Sequence, residues 1–221
     1  MTGSGPMDEK EYLHRWLRMV RDVMLWKLEG LSDADIRRPM TRSGTNLLGL
    51  VKHLTGGEIV YLGETFGRPA TDVRLPWWEP ENVQKTMETG GDMYAAPDES
   101  TEYLVDLYRR ACAHADKTIA DLDLDDIGTV PHAGDNDIGG APDAPNPKQL
   151  TLRQALVHEI HETSRHAGHA DIVRELIDGS IGGARGNPFV PDPDHETWWQ
   201  EYLARVKASA TAAEQASNER P

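Results

Sequence analysis

The sequence predicts an all-α protein, a four-helix bundle with long connecting loops and an extra C-terminal helix. Apolar residues recur at helical spacing in four long stretches, and no stretch has the alternating pattern of a strand. The prolines lie between these stretches. A chain of 221 residues can bury a core as one domain. We therefore expect a disordered leader at residues 1–7, a single helical domain at 8–210 and a frayed tail at 211–221.

Each predicted helix is bounded by local signals. Thr45 or Asn46 can cap the second helix, Ser100 or Asp98 can cap the third, and Gly179 can end the fourth. The predicted helices cover residues 8–30, 46–66, 98–122, 151–178 and 195–210.

The connections between the helices are long. Residues 67–97 contain four prolines together with Trp77 and Trp78, and two large apolar rings argue against a disordered loop. We expect a lid or a binding loop there. The connection before residue 151 is rich in Asp, Gly and Pro, and its aspartates do not match the spacing of a calcium-binding loop. Its His132 has no evident partner in the sequence, so we expect this side chain to be exposed.

The fourth predicted helix concentrates four of the nine histidines of the chain. Most of these imidazoles fall on the stripe that continues as Val173, Leu176 and Ile177, and such a stripe normally faces a core. Burying imidazoles and carboxylates is costly unless they are paired or bind a metal. This conflict indicates a polar site. The residues concerned are His158, Glu159, His161, Glu162, His166 and His169.

Helix geometry limits which of these residues can share an ion. Side chains three or four residues apart lie on one face, so Glu162 can chelate with either His158 or His166, and His166 can chelate with His169. His158 and His166 are about 12 Å apart along the axis, too far to share an ion. A third ligand must come from another helix, and His53 is the best-placed inward candidate.

These residues favour a two-histidine, one-carboxylate site with open positions, which suits zinc or another divalent transition metal. The adjacent Gly56 and Gly57 on the second helix suggest close packing or room for a bound group. Two other interpretations stay open. The histidines could belong to a hydrogen-bonded polar network inside the bundle, or they could lie on a solvated helix face.

Two stretches, VKHLTGGEIVYLGETFG and HEIHETSRHAGHADIVRELIDG, resemble the DinB/YfiT-like metalloenzyme superfamily. The resemblance is to the branch of mycothiol-dependent maleylpyruvate isomerase and related thiol S-transferases. That family has one histidine on the second helix and an H/E-x-x-x-H pair on the last bundle helix. The resemblance implies that His53, Glu162 and His166 bind the metal. It also implies a catalytic role for His169, through contact with the substrate or with a ligand.

The function that the resemblance implies is a metal-dependent transferase or isomerase. A low-molecular-weight thiol, mycothiol, would attack a small electrophile as a metal-bound thiolate. Zn²⁺ is the expected metal, and Ni²⁺ could occupy the site in a purified sample. Two alternatives remain. One is a metal-dependent hydrolase of a small molecule, with Glu159 or His169 as proton carrier. The other is a non-catalytic metal-binding or structural bundle that forms a homodimer through tryptophan-rich faces.

Composition excludes other classes of partner. The net charge of −14 repels phosphate backbones, and the sequence has no basic patch, so we expect no nucleic-acid binding. No run of eighteen apolar residues and no secretory signal is present, and Cys112 is the single cysteine. We therefore expect no membrane association and a cytoplasmic location.

Overall fold

Four helices form a bundle in the computed structural model, which describes residues 8–131, 148–183 and 195–218. The predicted all-α fold is confirmed. Helix α1 packs against α6, and α3 packs against both α5 and α6. The described helices are α1 (Glu9–Trp26), α2 (Asp33–Arg37), α3 (Leu47–Tyr61), α4 (Val83–Thr89), α5 (Thr101–Asp121), α6 (Leu152–Asp178) and α7 (Glu196–Asn218).

Side-chain caps fix the start of each bundle helix. Asp8, Asn46 and Ser100 accept hydrogen bonds from backbone N–H groups in the first turns of α1, α3 and α5. Thr151 forms a reciprocal capping box with Gln154 at the start of α6. Such caps contribute about 1 kcal/mol each. They explain why the beginnings of these helices can be predicted from local sequence.

Two details differ from the sequence-based prediction. Helix α3 ends at Tyr61, five residues early, and a 3-10 turn at Glu64–Phe66 follows. A Cβ atom at Gly63 would lie 2.5 Å from the carbonyl oxygen of Ile59, so the chain turns where only glycine fits. The structure also contains strands, which were not predicted: β1 (Ile127–Thr129) pairs antiparallel with β2 (Gln149–Thr151). Three residues per strand are too few for a recognisable alternating pattern.

The C-terminal helix is longer than the sequence predicts. Helix α7 continues to Asn218, eight residues beyond its predicted end, and none of its residues is buried. The residues 211–218 are therefore helical, whereas a frayed tail was predicted. The division of the chain at residue 210 stays a prediction. The predicted leader at residues 1–7 and His132 lie outside the described residues.

The buried face of α6 is rotated from the predicted one. Val173 is buried as expected, but Leu176 is 58% exposed. At about 100° per residue, the centre of the buried face lies roughly 75° around the helix from Glu162. Glu162 is therefore at the edge of that face, whereas Glu159 is near its centre. The buried residues are Leu152, Ala155, Leu156, Glu159, Thr163, His166, Ala167, Ala170 and Val173.

The long connection after α3 packs onto the bundle. It contains a 3-10 turn at Pro76–Trp78 and helix α4. Trp77 is buried, and the Nζ atom of Lys52 lies 4.4 Å from the centre of its ring. The same Nζ atom forms an ion pair of 2.7 Å with Glu99. This segment is thus held against α3. No helix among the described residues is long and apolar enough to cross a membrane.

Candidate metal centre

Helices α3 and α6 bring His53, Glu162 and His166 together. One ligand atom from each side chain lies within 4.8 Å of the other two. His53 comes from the middle of α3, and the other two residues are one turn apart on α6. The donor set, two imidazole nitrogens and one carboxylate oxygen, fits a divalent transition metal with positions left for a substrate. These are the three residues for which the sequence predicts metal binding.

Asp92 orients the imidazole of His53. Nδ1 of His53 lies 2.8 Å from Oδ2 of Asp92, which follows α4 in the long connection. Burial alone would raise the pKa of Asp92, but the hydrogen bond and the charge of His53 hold this pKa below its usual range. With Nδ1 engaged in this way, Nε2 is the nitrogen that can bind a metal, as in carboxylate–histidine–metal arrangements.

His166 is the most buried of the three candidate ligands. Its Nε2 atom lies 3.5 Å from Oε2 of Glu162, and its ring centre is 5.0 Å from that of His53. Burial, assisted by the neighbouring His53, lowers the pKa of His166 to about 4. The imidazole is therefore neutral at pH 7, and the neutral form is the one that binds metals.

The structure places His169 on the outer side of the cluster. Its side chain is exposed, and Nδ1 lies 3.4 Å from Nδ1 of His166. This arrangement can orient His166, because one ring nitrogen can donate a proton to the other. A direct role of His169 in catalysis stays a prediction.

The other two histidines of α6 do not join the cluster. His158 is half-buried and packs on Tyr61, with ring centres 4.2 Å apart. Burial lowers the pKa of His158. His161 is largely exposed, and its Nδ1 atom lies 3.7 Å from Oε1 of Glu162. Neither residue has the position of a further ligand.

A cavity of about 340 Å³ opens beside the candidate ligands. This volume is within the range typical of small-molecule sites. Trp78 contributes to its wall and lies against α3, where a Cβ atom at Gly56 would be only 2.9 Å from Nε1 of the indole. The connection that contains Trp78 thus forms one wall of the cavity, in line with the expected lid or binding loop. Residues that line the cavity include His53, Gly57, Tyr61, Trp78, Glu159 and Glu162.

Glu159 is the least exposed acid of the cavity wall. Its side chain is 1% exposed, and neither carboxyl oxygen has a hydrogen-bond partner among the described residues. Burial, reinforced by the charge of nearby Glu58, raises the pKa of Glu159 well above its ordinary value. Glu58 is held by Arg21, whose Nε donates a hydrogen bond of 2.6 Å. The sequence offered Glu159 only as a proton carrier in hydrolysis, and its burial was not predicted.

A second, largely apolar cavity of about 670 Å³ adjoins the first. The two cavities share Val60 and Trp78 in their walls. The apolar cavity is lined further by side chains such as Val73, Leu75 and Met87. It provides space for an apolar group next to the candidate metal centre.

Comparison with known families agrees with this geometry. A family model for mycothiol-S-transferase matches residues 12–179. The matched region includes most of α1 and all of α3, α5 and α6, and therefore His53, Glu162, His166 and the cavity beside them. A search of curated proteins gives no match.

Proposed function

The chain belongs to the mycothiol-S-transferase family, and we propose that it transfers the sulfur of mycothiol to a small electrophile in a metal-dependent reaction. The observation that carries this proposal is the convergence of His53, Glu162 and His166 within 4.8 Å beside a cavity. Three protein ligands leave a position for a substrate atom, which is the arrangement of catalytic zinc sites.

Zn²⁺ is the metal that we propose, since two imidazoles and a carboxylate are ligands that it commonly uses. Ni²⁺ or another divalent transition metal could bind the same donors. When bound, the metal would supply positive charge that keeps the sulfur of the thiol ionised at neutral pH. A thiolate is the nucleophilic form of a thiol.

The protein contributes orientation and enclosure to this reaction. Asp92 holds the ring of His53, and His169 lies where it can hold the ring of His166. Supporting contacts of this kind keep ligands in their binding tautomer and direction. Trp78 limits access of water from one side, and the apolar cavity behind it can accept an apolar part of the electrophile. We propose a positioning role for His169, in place of contact with the reacting atoms.

Hydrolysis of a small molecule is the second candidate function, because water could take the place of the thiol. A hydrolase would need a general base near the nucleophile. Burial raises the pKa of Glu159, which favours its protonated form over the carboxylate that a general base requires. Of the two reactions, thiol transfer is the better supported, because the family model that matches residues 12–179 is that of mycothiol-S-transferase. A cytoplasmic location and a homodimer formed through tryptophan-rich faces stay predictions.

The test compares zinc-loaded with metal-stripped protein in stopped-flow mixing with a thiol and a fluorogenic electrophile. We expect rate acceleration only with zinc, with mycothiol preferred over glutathione, cysteine and coenzyme A. His195→Ala is a matched control, because it removes an exposed imidazole that lies outside the cluster and the cavity. Equal rates with and without metal across all four thiols would reject thiol transfer.

A further inference from the structure

Glu159 is a buried polar group without a hydrogen-bond partner in the part of the chain that the structure describes. Both of its carboxyl oxygens lack a hydrogen bond within the described ranges, although the residue is 1% exposed and lines the cavity. An unsatisfied buried polar group destabilises the folded protein, and such groups in native proteins call for an explanation. A ligand that enters the cavity is in a position to form a hydrogen bond with this carboxyl group.

Helix α3 makes room for the carboxyl group. A Cβ atom at Gly57 would lie 3.0 Å from one oxygen of Glu159 and 3.1 Å from the other. The absence of a side chain at Gly57 therefore accommodates the carboxyl group at the wall that His53, one turn earlier on α3, also lines. Glu159 thus lies between the backbone of α3 and the space that a substrate would fill.

The surroundings of Glu159 favour its neutral form. Burial is the largest influence on its pKa, and the charge of Glu58 raises this pKa further. Arg21 acts in the opposite direction, but its guanidinium group is already bonded to Glu58. The other titratable side chains that line the cavity are His53, Tyr61, His158 and Glu162. A neutral carboxyl group is a hydrogen-bond donor.

We propose that Glu159 is the catalytic proton donor of this reaction, acting on an oxygen atom of the electrophile that gains negative charge as the sulfur attacks. This inference rests on the proposed thiol transfer. It adds a catalytic residue to the cavity. It also distinguishes Glu159 from the three candidate ligands, because its function is to touch the substrate.

With methyl vinyl ketone as the electrophile, the step balances as an addition of S–H across a carbon–carbon double bond. The thiol releases its proton, and a lone pair of the sulfur forms the new S–C bond. The π electrons of the double bond move toward the carbonyl oxygen, and Glu159 transfers its proton to that oxygen. The resulting enol converts to the carbonyl form by moving this proton to carbon. Glu159 is then reprotonated by the proton that the next thiol releases.

The kinetic test compares two electrophiles that differ in their need for an acid. Methyl vinyl ketone develops negative charge on oxygen, whereas iodoacetamide releases iodide without a proton. With zinc and mycothiol, Glu159→Gln should slow the reaction of methyl vinyl ketone by about 10²–10⁴-fold, the usual range for general acid catalysis. Its reaction with iodoacetamide should change by less than about threefold, because no proton is transferred to the leaving group.

Glu175→Gln is the matched control, since Glu175 is an exposed glutamate of the same helix. This control should leave both rates unchanged. Zinc content by elemental analysis should be the same in all three proteins. An equal loss of both reactions in Glu159→Gln, or no loss in either, would overturn the assignment of Glu159 as proton donor.

An infrared measurement tests the contact without turnover. The wild-type protein at pH 7 should show the C=O band of a protonated carboxyl group, which Glu159→Gln should lack. Butanone, the saturated counterpart of methyl vinyl ketone, should shift this band to lower frequency by accepting its hydrogen bond. Absence of the band, or no shift at saturating butanone, would overturn the inference. No turnover by the wild-type protein with any thiol would instead reject the proposed function. The infrared result would then still show whether Glu159 donates a hydrogen bond to a carbonyl compound in the cavity.

Discussion

Glu159 makes the stability of this protein depend on pH in a direction that can be worked out. Its carboxyl group is buried, and burial raises its pKa far above the ordinary value of 4.5. The folded protein therefore keeps a proton that the unfolded chain releases as pH rises. The contribution of Glu159 to stability is fully present below the unfolded pKa and is lost as pH increases toward the folded pKa. Glu159→Gln removes this titration with little change in shape.

The size of the effect follows from linkage. Each pH unit between the unfolded and folded pKa values costs the native state about 1.4 kcal/mol for one proton. Above the unfolded pKa, the wild-type protein should therefore lose stability with rising pH relative to a variant that cannot titrate at this position, and the loss ends where the pH passes the folded pKa. A loss of this kind over about two pH units is a large part of the total stability of a typical domain.

The assay is urea unfolding of metal-stripped protein at several pH values. The difference in unfolding free energy, Glu159→Gln minus wild type, should increase with pH from about pH 5 upward, by at most about 1.4 kcal/mol per pH unit. Titrations of other residues cancel in this difference, and so does any constant packing effect of the amide. Glu175→Gln should give a difference that is flat with pH, because its side chain is exposed.

A flat difference for Glu159→Gln would refute the reasoning. It would mean that the carboxyl group has the same pKa in the folded and unfolded states. Water would then reach this group more freely than its exposed fraction of 1% suggests. A difference that decreases with pH would show an ionised Glu159 stabilised by Arg21.

Four further outcomes are expected. His53→Ala should lose most of the bound metal in elemental analysis, whereas His158→Ala should keep it, and equal loss in both would move the site toward the start of α6. Asp92→Asn should weaken metal binding about 10–100-fold in competition with a chelator, because His53 loses its anionic partner. His169→Ala should slow turnover while metal content stays nearly intact, and loss of the metal would make it a ligand. A gel-shift assay at about 150 mM salt should show no saturable duplex binding, since counterion release needs clustered cations.

The starts of the bundle helices and the shared face of Glu162 and His166 could be predicted because they depend on local signals. Asn46, Ser100 and Thr151 start helices through side-chain bonds to residues three positions later. The spacing of Glu162 and His166 places both on one face whatever surrounds the helix. Periodicity thus gave the relative positions of side chains on each helix. It contains no information on which sector of a helix meets its neighbours.

The features that the sequence did not reveal depend on long-range packing. Asp92 reaches His53 from 39 residues away, across a connection whose path no local pattern fixes. On α6, the stripe that includes Leu176 was predicted to be buried, but the sector covered by α1 and α3 is centred elsewhere. A helical-wheel projection centred on the small and apolar residues at the start of α6, such as Ala155 and Leu156, would have placed Glu159 on the buried face.

The rotation of α6 explains how one helix can supply two carboxyl groups with different chemistry. Glu159 and Glu162 are separated by about 60° around the axis and about 4.5 Å along it. This displacement places Glu162 at the edge of the bundle, 30% exposed, where its carboxylate can meet His53 and His166. Glu159 is turned toward the centre, where it is 1% exposed and burial raises the pKa of its carboxyl group. Two acids in different surroundings commonly have different roles in catalysis. The burial of α6 thus makes one glutamate suited to binding a metal and the other suited to donating a proton.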